Sequence, residues 1–272
     1  MPHQNVRPGF VAGVTSLPCA VRSLMSAPRL WPCALAPAVV FVALFGLLAL
    51  GSVAWVRPWV LGLIPEASRG WGGLGAELFS WLAAAAALGL GWVIATVLTP
   101  ALSSPALERI VAHVEKELGV PVHAPLGFFK ELLCGLRAFG AGAMFAGPIL
   151  LALWTTEILL PPAVIITVPL QFVVTALWAA WGLFDYPLTL RGVGIRRRLL
   201  FMRGHPRSTL GFGTACTALF WVPCCNVLAL PVAVAAATHL LWAVARSDPG
   251  LKLPELEASS SSRAHRSGSA AS

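Results

Sequence analysis

Apolar residues gather along this chain into five blocks that hold no Asp, Glu, Lys or Arg: 30–56, 78–107, 138–156, 158–184 and 208–245. Crossing a bilayer core of about 30 Å as a helix takes about 20 mainly apolar residues. The shortest block, Ala138–Thr156, is already 19 residues long. The pattern therefore predicts two clear crossings, Ala34–Val56 and Leu78–Thr99. Two further apolar segments, Ala138–Leu160 and Ala163–Phe184, meet at Pro161-Pro162. Each carries an internal proline, Pro148 and Pro169. A proline removes a helix hydrogen bond and clashes with the preceding turn, so both segments are expected to be broken or short. The last block turns at Pro223-Cys224-Cys225-Asn226. Its first arm, Ser208–Val222, would be only about 22 Å long at about 1.5 Å per residue. A re-entrant hairpin is thus the alternative to two spans, and its tip needs protein around its backbone. The fold class predicted is all-α: a polytopic helical membrane protein with two long transmembrane helices and two helical hairpins only partly inserted in the bilayer.

Two stretches follow a different rhythm. In the N-terminal segment, 1–33, Phe10, Val11, Val14, Leu17, Val21 and Leu24 recur at rough helical spacing, which predicts an amphipathic interfacial helix. Between Pro105 and Leu118, the residues Leu107, Ile110, Val111, Val114 and Leu118 share one face, with Pro105 in the first turn. Glu108, Arg109, Glu115 and Lys116 are expected to face away. The membrane domain spans 34–246. Beyond it, 247–272 is rich in Ser, Ala and charge, with a serine run at Ser259–Ser262, and is expected to be a disordered tail. The first apolar block is too long for a signal-peptide core and reads as a first span.

Charge changes the picture in two ways. Only 11% of residues are charged, against about 25% in soluble domains. The net charge of +8 sits beside the spans, as the positive-inside rule requires. No stripe of bases and aromatics resembles a nucleic-acid fold, so nucleic acid is not an expected partner; the lipid bilayer is. If the first four blocks each cross once and the last enters and returns, seventeen of the nineteen Lys and Arg residues fall on one side, all but Arg57 and Arg69. That side is predicted cytoplasmic, with both termini inside. The six cysteines, Cys19, Cys33, Cys134, Cys216, Cys224 and Cys225, form no spaced pair near histidines, so no metal is expected. No Gly-x-Ser-x-Gly, His-Glu-x-x-His or phosphate loop is present. Neither an enzymatic activity nor a cofactor is expected.

The segment 185–242 carries the most specific signature: Asp185-Tyr186-Pro187, a basic linker, Gly211-Phe212-Gly213, Val222-Pro223-Cys224-Cys225-Asn226, Leu230-Pro231 and Ala237-Thr238. It resembles the CysZ/etoposide-induced-protein family of membrane proteins. Pro105 to Glu115 is similar to that family's Pro-Phe-x-Asp-x-Leu-x-x-x-Val-Glu helix, with Ala106, Glu108 and Ile110 substituted. A weaker match is Gly9-Phe10 with Leu30 to Pro37. The resemblance covers about 9–245. It implies two long transmembrane helices plus hairpins, and, for bacterial members, uptake of sulfate or another small anion across the inner membrane. The expected assembly is a homo-oligomer. Sulfate-transporting members carry Gly-Leu-Arg before the first span; by spacing from Pro37 the positions here are Arg29-Leu30-Trp31. A literal Gly135-Leu136-Arg137 lies before the third block.

Four residues are candidates for anion contact. Arg22 and Arg29 precede the first span and are equally ordinary membrane anchors. Asn226 at the hairpin tip offers an amide for an ion path, or a turn cap. Asp185 offers part of a gate, or pairs with Arg191 or one of Arg196–Arg198, or caps the next helix. Glu157 and His239 are the ionisable residues expected at membrane depth, where such groups are functional candidates by default. The alternative function is a membrane-organising or interaction protein of the same fold with no transport activity.

Overall fold

The computed structural model describes residues 9–63, 72–120, 128–191, 193–221 and 226–247. All regular structure among them is helical: α1 Phe10–Ser26, α2 Trp31–Gly51, α3 Arg57–Leu63, α4 Gly72–Leu102, α5 Ser104–Glu117, α6 Phe128–Leu159, α7 Val164–Leu190, α8 Ile195–Gly204, α9 Pro206–Phe220 and α10 Asn226–Ser247. A π-helical turn, Ser52–Val56, joins α2 to α3. Among the described residues, five helical stretches are long and apolar enough to cross a membrane: Pro28–Leu63, Gly75–Leu102, Phe139–Leu159, Pro161–Leu190 and Ala229–Ser247. Large apolar side chains point outward along them, among them Val42, Leu50, Leu82, Leu151 and Ile166. That much exposed apolar surface is stable only in lipid. The protein is an all-α, multi-pass membrane protein.

Two compact units form, one of residues 35–103 and the other of the rest. In the first, α2 and α4 lie against each other through a small aromatic lock. Phe41 and Phe45 each meet Trp92 edge-on, at ring-centroid distances of 5.0 and 5.4 Å. Beside it, a Cβ on Gly91 would lie 3.2 Å from the Leu48 Cβ. Close approach at a glycine gives the dispersion contact that drives helix association where lipid supplies no hydrophobic force. At one end of this pair Arg57 is salt-bridged to Glu77 and its guanidinium lies 4.6 Å from the Trp81 ring centre. Trp55 and Trp59 beside it are exposed, as in an interfacial aromatic belt.

The second unit is organised around α10. Its most apolar window is 72% buried, against 6% for Pro28–Leu63. Ala233, Ala235, Ala236 and Ala237 are fully buried, with Leu241 and Trp242 a turn further on. Small residues all round let α1, α5, α7 and α9 pack against it. The protein shell that a re-entrant arm requires is therefore present around α10. The turn Val222–Cys225 lies outside the described residues.

α1 has the reverse of a soluble amphipathic helix. Its buried face is Gly13, Ser16, Ala20, Ser23 and Leu24, whereas Phe10, Val11, Val14, Val21 and Met25 are exposed. The predicted apolar positions thus mostly face outward, and the small ones dock on α9 and α10. The helix expected over 105–118 is α5, with Leu107, Ile110, Val111 and Val114 fully buried. One expectation fails there: Glu115 is also fully buried.

The two prolines do not break their helices. α6 runs for 32 residues through Pro148 and α7 for 27 through Pro169 and Pro187. The two pack closely along their length, and a Cβ on Gly142 would lie 2.9 Å from the Trp178 Nε1. Prolines are tolerated within membrane helices that pack against neighbours in this way.

Candidate functional site

The resemblance segments come together as a buried polar network. Glu115 of α5 is ion-paired to Arg191, the residue that closes α7, and both side chains are wholly buried. Arg191 also donates from Nη1 to the Pro187 carbonyl at 3.2 Å, and its guanidinium lies 4.8 Å from the Trp242 ring centre on α10. Tyr186 donates its hydroxyl to the Ser104 carbonyl at 2.8 Å, which ties α7 to the first turn of α5. Asp185 forms a salt bridge with Arg198 of α8. Thr189 donates to Asp185 Oδ2 at 3.3 Å and accepts from Arg198 Nη2 at 2.8 Å. Arg198 Nε donates to the Val193 carbonyl at 2.8 Å. Each buried charge thus has a counter-charge and hydrogen bonds, the condition under which burial of ions is tolerated.

This sorts the sequence candidates. Asp185 lies in that ring, with one carboxylate oxygen on Arg198 and the other on Thr189; its work is to hold α8 against α7. Of Arg196, Arg197 and Arg198, only Arg198 turns inward; Arg196 and Arg197 are exposed. Arg22 on α1 and Arg29 in the 3-10 turn Pro28–Leu30 are exposed, and neither is ion-paired among the described residues. Asn226 opens α10, and its side chain lies outside what is described. Arg137 of the literal Gly135-Leu136-Arg137 lies within α6.

Backbone donors are scarce around Arg29. Pro28 and Pro32 have no N–H. The Leu30 N–H goes to the Ala27 carbonyl at 2.9 Å and that of Trp31 to the Pro28 carbonyl. An anion here would be held by side-chain charge rather than by a cradle of amides.

Two polar clusters were not assembled by sequence reasoning. Ser23 of α1 donates to Glu117 Oε2 at 2.5 Å, and His113 Nε2 lies 3.3 Å from Glu117 Oε1. At the α6–α7 turn, Thr167 and Gln171 donate to Glu157 Oε1 at 2.5 and 2.9 Å. Glu157 is thus a partnered hairpin clamp. Its replacement by Ala leaves Thr167 with only the Ala163 carbonyl at 3.1 Å and takes this acceptor from Gln171, and should cost about 1–3 kcal/mol. Glu157→Gln, which keeps an acceptor, should cost less; melting curves of the two variants in detergent check this. His239, the other residue expected at depth, is on α10, and its Nε2 has no hydrogen-bond partner among the described residues.

A family model described as Sulfate transporter CysZ/Etoposide-induced protein 2.4 matches residues 16–231. The chain belongs to this family. No curated protein matches it. The match takes in both segments that the buried network joins: α5 with Glu115, and the Asp185-Tyr186-Pro187 end of α7 with the linker to α9. In this member of the CysZ/etoposide-induced-protein family, those motif residues build the scaffold of the second unit.

Proposed function

We propose that the protein is an anion permease or channel of the bacterial inner membrane, passing sulfate or a similar small oxyanion without an enzyme cycle. The family description, which names a sulfate transporter, carries this reading. The division among the arginines supports it. Arg191 and Arg198 are consumed inside, whereas Arg22 and Arg29 stay exposed beside the start of the first span. Free guanidinium groups raise the local concentration of anions before a pore. The excess of basic residues on one side of the spans supports cytoplasmic termini.

Uptake of labelled sulfate into proteoliposomes tests the proposal. The wild type should load vesicles above the protein-free background. Arg22→Gln and Arg29→Gln should each lower uptake by about fivefold at low salt, the weight of about 1 kcal/mol per surface cation. No uptake of sulfate, sulfite or any other oxyanion sinks the permease; unchanged uptake in both variants removes the arginines from it. The second reading, a membrane-organising protein of the same fold, is favoured by one observation. Arg29-Leu30-Trp31, with the N–H groups of Leu30 and Trp31 occupied, departs from the anion-holding Gly-Leu-Arg of transporting members.

A further inference from the structure

The second unit contains a cavity of about 370 Å³ that neither the buried network nor the exposed Arg22 and Arg29 touches. Its wall is built from four helices: Phe145 and Ala146 of α6, Leu177 and Trp178 of α7, Leu199 of α8, and Pro206 and Thr209 of α9. Several of these side chains are also exposed, Phe145 at 71% and Leu177 at 40%. The cavity therefore lies at a lipid-facing surface and is not sealed in the core. Among its lining residues only Arg203 is charged. Arg203 is exposed and has no ion-pair partner among the described residues. Thr209 also lines the cavity; it is fully buried and its Oγ1 has no hydrogen-bond partner among the described residues.

An apolar slot with one cation is a poor site for a small hydrated oxyanion. Stripping its water needs several donors, and these walls offer carbon. The same slot suits a molecule with an apolar body and one negative end. In a bilayer the abundant species of that chemistry is an anionic phospholipid. The charge around Arg203 fits it: Arg196 and Arg197 on α8 and Arg207 in the first turn of α9 are exposed as well. By the distribution of basic residues this linker faces the cytoplasmic leaflet, where anionic lipids concentrate. We propose that the cavity between α6, α7, α8 and α9 binds one anionic phospholipid, with an acyl chain among Phe145, Leu177 and Trp178 and the phosphate on Arg203.

Native mass spectrometry of the full-length protein, released from micelles doped with phosphatidylglycerol or phosphatidylcholine of identical acyl chains, tests this. The expected result is one retained phosphatidylglycerol per chain, favoured over phosphatidylcholine by roughly fivefold or more, the weight of one basic residue. Arg203→Gln should erase the preference while still retaining lipid. Ala146→Phe, which fills the slot, should lose the adduct; Val174→Phe fills it from the facing helix if the first variant does not fold. Only variants with the wild-type elution profile are compared. Equal retention of the two lipids, a preference that survives Arg203→Gln, or an adduct that survives both filled variants overturns the proposal. So does displacement of the adduct by inorganic phosphate, which marks a plain oxyanion site, or a lipid-free dimer, which marks a face covered by a second copy.

Discussion

Arg191→Ala should leave little folded protein. The change deletes the counter-charge of Glu115 while that carboxylate stays wholly buried. Breaking one side of a buried pair costs about 3–5 kcal/mol, a large share of a total stability of about 5–15 kcal/mol. It also removes the bond to the Pro187 carbonyl and the contact with Trp242, so α5, α7 and α10 lose a shared tie together. Glu115→Leu strands the arginine and should be nearly as severe. Glu115→Leu combined with Arg191→Met removes both charges and should recover most of the loss, because an apolar pair of similar volume is often neutral. Arg191→Lys should fall between, since a lysine keeps charge but not the planar fork. Size-exclusion profiles and melting curves in detergent give the reading. Single variants that melt with the wild type, or a double variant worse than both, would show that the pair is not what joins these helices.

The second large effect is expected at glycines, where backbones touch. A Cβ on Gly211 would fall on the Phe10 carbonyl, and one on Gly13 on the Ser208 carbonyl. The two glycines therefore face each other across the α1–α9 crossing. A Cβ on Gly213 would fall on the Ala176 carbonyl of α7. Gly211 and Gly213, two residues apart, thus let α9 sit against a different helix on each side. Overpacking a good core costs about 1–3 kcal/mol, and here the obstacle is backbone that cannot rotate away. Gly213→Ala and Gly211→Ala should each cost at least that much and release α7 or α1 from α9. Gly140→Ala and Gly147→Ala on α6 meet nothing within 4 Å and should be neutral or stabilising. Cysteine cross-linking between α1 and α9, with melting curves, separates these outcomes. Equal melting of Gly213→Ala and Gly147→Ala would remove the close approach from the account.

The all-α membrane class was legible because uncharged blocks of this length have few other homes. The helix at 105–117 was legible from its apolar spacing. The burial of Glu115 was not legible from its charge, which ordinarily marks an exposed position. Yet Leu107, Val111 and Glu115 form one i, i+4 row, so the helical geometry that buried the first two buried the third. The inward turn of Arg198, next to two exposed arginines, depends on where Asp185 ends up and has no local signature. The continuity of α6 and α7 through Pro148 and Pro169 was illegible for a related reason: a proline's cost is read from its own helix, while the packing between α6 and α7 is set by the fold. The reversed face of α1 follows from lipid as solvent, where small residues rather than large ones mark the packed side.

Recording current across a planar bilayer holding the purified protein, under a sulfate gradient, tests the central functional claim most directly. The account predicts a protein-dependent current that reverses at the sulfate equilibrium potential and shrinks in the Arg22→Gln, Arg29→Gln double variant. A membrane that stays silent to sulfate, sulfite and the other oxyanions, with protein shown to be folded and inserted, would contradict it.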